Sequence, residues 1–177
     1  IDALYTSGRL STKYKGDWQY VKVEVRAKLP QGQGTWPAIW MLPTDNYYGD
    51  WPTSGEIDIM EHVGSNLNRV HSSIHNSTNF TDLPNNQTSF VSIEDVSDWH
   101  IYSMIWKENE IQFFVDDQPI LTYNNTGSGY ELWPFDQKFH LVLNLAIGGT
   151  WGGEINPAIF PVDLIVDYVR IYKQECF

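Results

Sequence analysis

Three carboxylates lie close together in residues 55–61, which read GEIDIME. If this stretch is a β-strand, Glu56 and Asp58 share one face, because side chains alternate along a strand. Glu61 has the opposite parity and would point to the other face. One extra residue, accommodated by a β-bulge at 59–60, would turn Glu61 back towards the other two acids. We therefore predict a bulged strand that carries all three carboxylates on one face.

Acids in such a cluster can divide the two roles of an acid–base reaction. Neighbouring carboxylates repel one another and separate their pKa values, so one stays protonated while another is ionised. Hydrolysis of a glycosidic bond with retention needs a nucleophilic carboxylate and a proton-donating carboxylic acid roughly 5 Å apart. The spacing alone leaves a solvated acidic strand face or an acidic metal site as alternatives. A sugar site is favoured by the tryptophans that precede the acids, Trp36, Trp40 and Trp51, because flat aromatic rings pack against the C–H faces of sugars and a metal site does not need them.

The segments around the acids predict an all-β protein. Residues 4–29 alternate polar and apolar side chains as in a half-buried antiparallel strand, and 35–43 form a more apolar strand after a glycine-rich turn. Residues 100–124 contain three short strands joined by hairpin turns, and 139–147 and 162–172 read as two more strands. No stretch of useful length has the 3.6-residue period of a helix.

The charge balance indicates what the protein binds. The 177 residues carry a net charge of −11, which argues against nucleic acid and against an anionic membrane surface, since both are held mainly by Lys and Arg. A neutral ligand fits better, and a sulfated polysaccharide fits worse. Aromatic residues make up 15% of the chain, which suits both sheet packing and a carbohydrate cleft. No apolar run approaches the length that spans a bilayer, and a chain of this size is most simply one domain.

Several motifs resemble one known family. The segments LPQGQGTWPAIWMLP and WPTSGEIDIMEHVG, followed in order by LVLNLAIGGTWGG and VDYVRIY, resemble the laminarinase (endo-1,3-β-glucanase) branch of glycoside hydrolase family 16 over essentially the whole chain. The resemblance implies a β-jelly roll of two curved antiparallel sheets, with the glucan in a concave cleft. It also implies Glu56 as the nucleophile, Asp58 as the assisting acid and Glu61 as the general acid/base.

The resemblance marks further positions around the cleft. Arg9 follows Gly8 where family members hold a guanidinium near the cleft, and His75 lies in a strand that the family places close to the sugar or the acid/base. Asn144 interrupts an apolar strand, where a buried amide must be hydrogen-bonded, so it serves either a structural network or the sugar hydroxyls. Four tryptophans are expected to stack on sugar rings: Trp36, Trp40, Trp51 and Trp151. For Trp40 the alternative is a place in the core.

The resemblance also bears on cofactors and on the extent of the domain. In this family the aspartate that matches Asp167 often ligates a structural calcium ion on the convex side, and hard oxygen ligands suit that ion. The chemistry itself is expected to need no cofactor. Members of the branch usually carry further residues before the segment that matches 6–9, so we expect one catalytic domain over 1–177 that lacks the usual N-terminal strand or strands.

Together these features predict a monomeric, secreted or periplasmic enzyme. It would hydrolyse internal β-1,3-glucosidic bonds of laminarin-like glucans with retention, with mixed-linkage β-1,3-1,4-glucan as a second substrate. A non-catalytic β-glucan recognition module is the main alternative, which the presence of both Glu56 and Glu61 disfavours. A transglycosylase would use the same residues and would differ only in the acceptor that resolves the covalent intermediate.

Overall fold

The computed structural model describes residues 4–79, 87–173 and 175. Within these residues the strands are β1 (Arg9–Ser11), β2 (Asp17–Trp18), β3 (Val21–Lys28), β4 (Thr35–Pro43), β5 (Glu56–Glu61), β6 (Arg69–His75), β7 (Gln87–Ser92), β8 (His100–Lys107), β9 (Glu110–Val115), β10 (Gln118–Asn124), β11 (Phe139–Ile147) and β12 (Ile165–Lys173). Two short helical segments are α1 (Gly149–Gly152) and a 3-10 turn (Pro157–Ile159). None of the helices in these ranges has the length and apolar character that a membrane crossing requires.

The strands form two antiparallel sheets. One sheet has the order β1-β11-β4-β5-β6-β7, with β2 paired to the first residues of β11, and the other has the order β10-β9-β8-β3-β12. Each strand pairing within the sheets is antiparallel. The predicted all-β sandwich of two antiparallel sheets is confirmed.

β3 shows how alternation decides burial. Its inward side chains, from Val21 to Ala27, are at most 3% exposed, while the residues between them are half-buried. The single strand predicted over 4–29 is instead three strands, β1 to β3. The reason is that Tyr14 and Tyr20 adopt positive φ values of 59° and 57°, which interrupt an extended backbone.

The core lies between the two sheets. Fully buried side chains come from both, such as Ile39 and Ile57 from the larger sheet and Trp106 and Phe113 from the smaller one. The buried indole of Trp106 donates a 3.1 Å hydrogen bond to the carbonyl of Phe135, so the ring is held without an unpaired donor. Because the larger sheet sends its apolar side chains inward, its polar residues are collected on the outer face.

The sheets separate at the edge formed by β1, β11 and β12. A cavity of about 580 Å³ lies there, lined mainly by apolar side chains that include Leu143 and Val166. Leu10 of β1 is 72% exposed and Val169 of β12 is 41% exposed. The alternating apolar residues of 162–172 therefore face an open edge more than a packed core.

Candidate active site

A bulge in β5 places the three carboxylates on one face. Adjacent residues of β4 face Met60 and Asp58, so Ile59 is an extra residue in the ladder. The pairing with β6 shifts over the same stretch. The extra residue restores the parity of Glu61, and the predicted bulged strand is confirmed.

The strand register aligns the acids with other predicted side chains. Arg9 of β1 pairs with Asn144 of β11, and this row continues through β4 to Glu61 of β5. The neighbouring row contains Trp40 and Asp58. Residues that pair directly across antiparallel strands point to the same face. Segments far apart in sequence therefore contribute to one surface.

The loop before β5 places Trp51 beside the first acid. Gly55 has a φ of 89°, in the left-handed region that glycine adopts without steric cost. A Cβ at Gly55 would lie 2.8 Å from Cε1 of Phe135, so the approach also requires the absence of a side chain. From this loop the Nε1–H of Trp51 donates a 2.8 Å hydrogen bond to Oε2 of Glu56.

A second indole serves the other glutamate. Nε1–H of Trp36 donates a 3.1 Å hydrogen bond to Oε1 of Glu61. The indole of Trp40 instead donates to Oδ1 of Asn144 at 2.7 Å, and the guanidinium of Arg9 lies 4.8 Å from the centre of its ring. Each glutamate thus receives one indole N–H, which stabilises its ionised form.

Burial raises the pKa values of all three acids. The pKa of Glu56 rises to about 8 through burial and the charge of Asp58, against the hydrogen bond from Trp51. The pKa of Glu61 rises to about 7 through burial, which outweighs the hydrogen bond from Trp36. Asp58 is 2% exposed, and burial together with the charge of Glu61 raises its pKa well above the usual range. The cluster therefore retains protons at neutral pH.

His75 lies beside the middle acid. Its Nε2 is 3.0 Å from Oδ2 of Asp58, but the two atoms are not aligned for a hydrogen bond, so the contact is electrostatic. Ligand atoms of Glu56, Asp58 and His75 lie within 4.8 Å of one another, the one such group of three or more His, Cys, Asp or Glu side chains in the described part of the chain. This spacing is close enough to hold a metal ion. The indole N–H of Trp51 already donates to Glu56, which favours acid–base chemistry over metal binding.

The acids line a cleft on the outer face of the larger sheet. A cavity of about 470 Å³ is lined by the three acids together with Arg9, Trp36, Trp40 and Asn144. A second cavity of about 560 Å³ shares Glu56 and Trp40 with the first and adds Trp51. Trp40 therefore lines the cleft and does not lie in the core. Volumes of this size suit a small ligand or a short run of sugar rings.

Comparison with known proteins identifies the family of this chain. Residues 2–167 match the sequence profile of Glycosyl hydrolases family 16. The chain belongs to this family. A beta-glucanase of Rhodothermus marinus is 45% identical over an alignment of 179 positions that covers 96% of this chain and 63% of that protein. A keratan-sulfate endo-1,4-beta-galactosidase of Sphingobacterium multivorum is 42% identical over 175 residues, which cover 98% of this chain and 41% of that protein.

Solved structures agree with the family assignment. The X-ray structure of the laminarinase from Rhodothermus marinus matches with a TM-score of 0.90 and 44% identity, over 93% of this chain and 70% of that chain. The predicted family and its jelly-roll fold are confirmed. The chain spans less than two thirds of the length of the two curated relatives described above.

The family 16 cleft gathers all but one of the side chains predicted from the sequence. Trp151 of α1 lies at the rim, with its ring centre 5.6 Å from that of Trp36 in an edge contact. Asp167 lies on β12 of the other sheet, where its Oδ2 is 2.6 Å from Nη1 of Arg26. Calcium takes six to eight oxygen ligands, and Asp167 belongs to no group of three or more metal-binding side chains among the described residues. The pair fits a surface ion pair and does not by itself fit a calcium site.

Two further side chains in the row of Glu61 were not among the site residues predicted from the sequence. His71 pairs with Glu61 across β5 and β6, and Phe90 pairs with His71 across β6 and β7, so both share the outer face. The parity that His71 shares with His75 was a usable signal. Phe90 gave no signal, because only the register between β6 and β7 brings it into line.

Proposed function

We propose that the protein hydrolyses β-1,3-glucosidic bonds within laminarin-like β-glucans, with retention of anomeric configuration. One observation carries the proposal: three carboxylates on one strand line a cleft, and Glu56 and Glu61 each accept an indole N–H there. The similarity to a beta-glucanase and a laminarinase supports the substrate class.

In the first step, an ionised oxygen of Glu56 attacks the anomeric carbon of one sugar. Glu61 transfers its proton to the glycosidic oxygen as the bond between that oxygen and the anomeric carbon breaks. The products are a glycosyl ester on Glu56 and a shortened glucan that leaves. The indole of Trp51 stabilises Glu56 as an anion before the attack.

In the second step, water resolves the ester. Ionised Glu61 takes a proton from a water molecule while the oxygen of that water attacks the anomeric carbon. The ester bond between this carbon and Glu56 then breaks. Two inversions at one carbon give net retention. Asp58 is buried beside Glu56, and its negative charge raises the pKa of Glu56, so the protonation state of Asp58 sets the fraction of the nucleophile that is ionised.

A neutral glucan is the substrate class that suits the charges of the cleft. The relative named for keratan sulfate suggests a sulfated polymer as the competing class. Among the described residues, the cavity around the acids is lined by three carboxylic groups and by one cationic side chain, Arg9, and the adjoining cavity that shares Glu56 adds only Lys13. A sulfate would be repelled by any ionised acid there. We propose mixed-linkage β-1,3-1,4-glucan as a second, poorer substrate.

We also propose that the enzyme acts outside the cytoplasm, secreted or in the periplasm, because a polysaccharide of this kind does not cross a bilayer. A monomer suffices, since one chain supplies both glutamates and both indoles. The reaction uses carboxyl groups and needs no cofactor. A structural calcium ion at Asp167 stays a prediction, which a higher Tm on addition of Ca²⁺ in the wild type but not in Asp167→Asn would support.

The test compares the wild type with Glu56→Ser on three polymers: laminarin, mixed-linkage glucan and keratan sulfate. We expect reducing-sugar release to be highest with laminarin and absent with keratan sulfate. Loss of a nucleophile costs on the order of 10³-fold or more in kcat, so Glu56→Ser is expected to be inactive. Proton NMR of the first product is expected to show the β-anomer before mutarotation.

The matched control is Glu108→Ser, which removes an exposed acid in the turn between β8 and β9 and is expected to keep full activity. A folded wild type that binds laminarin and releases no sugar would contradict catalysis and favour the recognition module. First appearance of the α-anomer would contradict a covalent ester on Glu56.

A further inference from the structure

Three metal-binding side chains meet where β5 pairs with β6. Ligand atoms of Glu56, Asp58 and His75 lie within 4.8 Å of one another, and Glu56 is directly opposite His75 in the strand register. Catalytic zinc sites use ligands of the same kinds, such as two histidines and one glutamate, and keep a fourth position open for water. Because all three side chains project from paired strands, the backbone ladder holds them close together without a ligand.

The contact between His75 and Asp58 leaves a buried oxygen unsatisfied. Nε2 of His75 lies 3.0 Å from Oδ2 of Asp58, and this oxygen is buried without a hydrogen-bond partner among the described residues. The Asp58 side chain is 3% exposed, and an unpaired buried carboxylate oxygen is costly. Two ligands of a tetrahedral zinc ion are about 3.3 Å apart, given bonds of about 2.0 Å. The two atoms are therefore close to the separation at which one ion satisfies both.

Glu56 gives an ion a third ligand and a path from solvent. Oε2 of Glu56 accepts the indole N–H of Trp51, so the other oxygen, Oε1, is the one that could ligate an ion. Hydrogen bonds of this kind orient carboxylates that bind metals. Glu56 also lines both cavities of the cleft. An ion can therefore enter from the cleft and retain a water molecule on its open side.

We propose that Glu56, Asp58 and His75 bind a divalent transition-metal ion of the Zn²⁺ class, and that the bound ion blocks catalysis. The imidazole favours Zn²⁺, Ni²⁺ or Cu²⁺ over Ca²⁺ and Mg²⁺, which take oxygen ligands. Binding of the ion does not depend on the proposed function. The inhibition rests on it, because an ion held by Glu56 covers the carboxylate that would attack the anomeric carbon.

The test measures metal binding and activity on protein that has been treated with EDTA and dialysed. Isothermal titration calorimetry is expected to show one Zn²⁺ bound per chain. Reducing-sugar release from laminarin is expected to fall over the Zn²⁺ concentrations that saturate the protein and to return when EDTA is added. Mg²⁺ at the same concentrations is expected to leave the activity unchanged, because it requires an octahedral set of oxygen ligands.

Two variants each remove one ligand. His75→Gln removes the imidazole, and Asp58→Asn removes a carboxylate with little change in shape. Each is expected to weaken Zn²⁺ binding by about 100-fold or more, because even groups that only orient a metal ligand contribute roughly 10- to 100-fold in affinity. Calorimetry reports this loss even where a variant has low activity.

The matched control is a histidine beside a carboxylate on the other sheet. Nδ1 of His100 lies 2.5 Å from Oδ2 of Asp116, and its Nε2 lies 2.8 Å from the carbonyl oxygen of Asp95. Both ring nitrogens of this histidine are partnered within the protein. His100→Gln is therefore expected to leave the Zn²⁺ affinity unchanged.

Each failure has a distinct meaning. Equal Zn²⁺ affinities of the wild type, His75→Gln and Asp58→Asn would overturn the metal site. Saturation with Zn²⁺ at unchanged activity would overturn the inhibition. A wild type that binds Zn²⁺ through these ligands, yet releases no sugar from laminarin when free of metal, would overturn the proposed function and support the metal site.

Discussion

The two indole N–H groups allow the two glutamates to be perturbed separately. Trp51→Phe removes the 2.8 Å hydrogen bond to Glu56, and Trp36→Phe removes the 3.1 Å hydrogen bond to Glu61. Each change raises the pKa of its partner, because a donor that stabilises the ionised form is lost. A hydrogen bond to a charged group contributes about 1.5–3 kcal/mol, and one pKa unit corresponds to about 1.4 kcal/mol. Since Trp51 is 49% exposed and water replaces part of the loss, we expect a rise of about one unit.

The two variants are expected to act on opposite limbs of the pH profile. The productive form has Glu56 ionised and Glu61 protonated. At pH values far below both pKa values, the productive fraction is set by the acidity constant of Glu56 alone, because Glu61 is already protonated. At pH values far above both, the productive fraction is set by the acidity constant of Glu61 alone, because Glu56 is already ionised. Both statements hold whichever group titrates first. Trp51→Phe is therefore expected to lower kcat/KM about tenfold on the acidic limb relative to the alkaline limb. Trp36→Phe is expected to raise the alkaline limb about tenfold relative to the acidic limb.

The assay is kcat/KM for a laminarin oligosaccharide across both limbs, with circular dichroism at each pH to confirm that the variants stay folded. Loss of stacking on the sugar lowers both limbs equally and cancels in the ratio of the two. A change confined to the same limb in both variants would refute the assignment of one indole to each role. If Trp36→Phe lowered the acidic limb while Trp51→Phe raised the alkaline limb, Glu61 would be the nucleophile and Glu56 the acid.

Two predictions concern stability. Gly55→Ala is expected to lower the free energy of unfolding in urea by about 1–3 kcal/mol, because φ is 89° and the new Cβ meets an aromatic carbon at 2.8 Å; Gly8→Ala, with nothing within 4 Å of its Cβ, is the control and is expected to match the wild type. Because the pKa values of Glu56 and Glu61 are raised on folding, the folded chain still holds protons at pH values where the unfolded chain has lost them. The contribution of these two groups to the free energy of unfolding therefore falls as the pH rises from about 4.5, through about 7 for Glu61 and about 8 for Glu56. Glu61→Gln is expected to become more stable relative to the wild type over this range, and a constant difference in urea midpoint would contradict the buried position of Glu61.

The acid strand could be predicted because its signals are local. The two-residue period of a strand fixes the faces of Glu56 and Asp58, and the parity of Glu61 required a bulge within the same six residues. Gly55 and the tryptophans before it are read from the same short segment. Such features depend on backbone geometry over a few residues, which tertiary context changes little.

Contacts between residues that are far apart in the sequence could not be predicted in the same way. Phe90 joins the row of Glu61 only through the register of β7 on β6, and Asp167 meets Arg26 from 141 positions away. The spacing of the tryptophans also does not predict which acceptor each indole N–H will have. Trp36 donates to Glu61, whereas Trp40 donates to Asn144. These contacts follow from strand order and side-chain packing between distant segments.

The bulge in β5 serves folding and chemistry through the same residue. With strict alternation, Met60 would face the cleft and Glu61 would face the core, where an unpaired charge costs several kcal/mol. The extra residue instead buries both Ile59 and Met60, each 0% exposed, and returns Glu61 to the indole of Trp36. The geometry that completes the row of acids is therefore also the one that keeps a carboxylate out of the core, so a sequence that packs β5 well has the three acids on one face as a consequence.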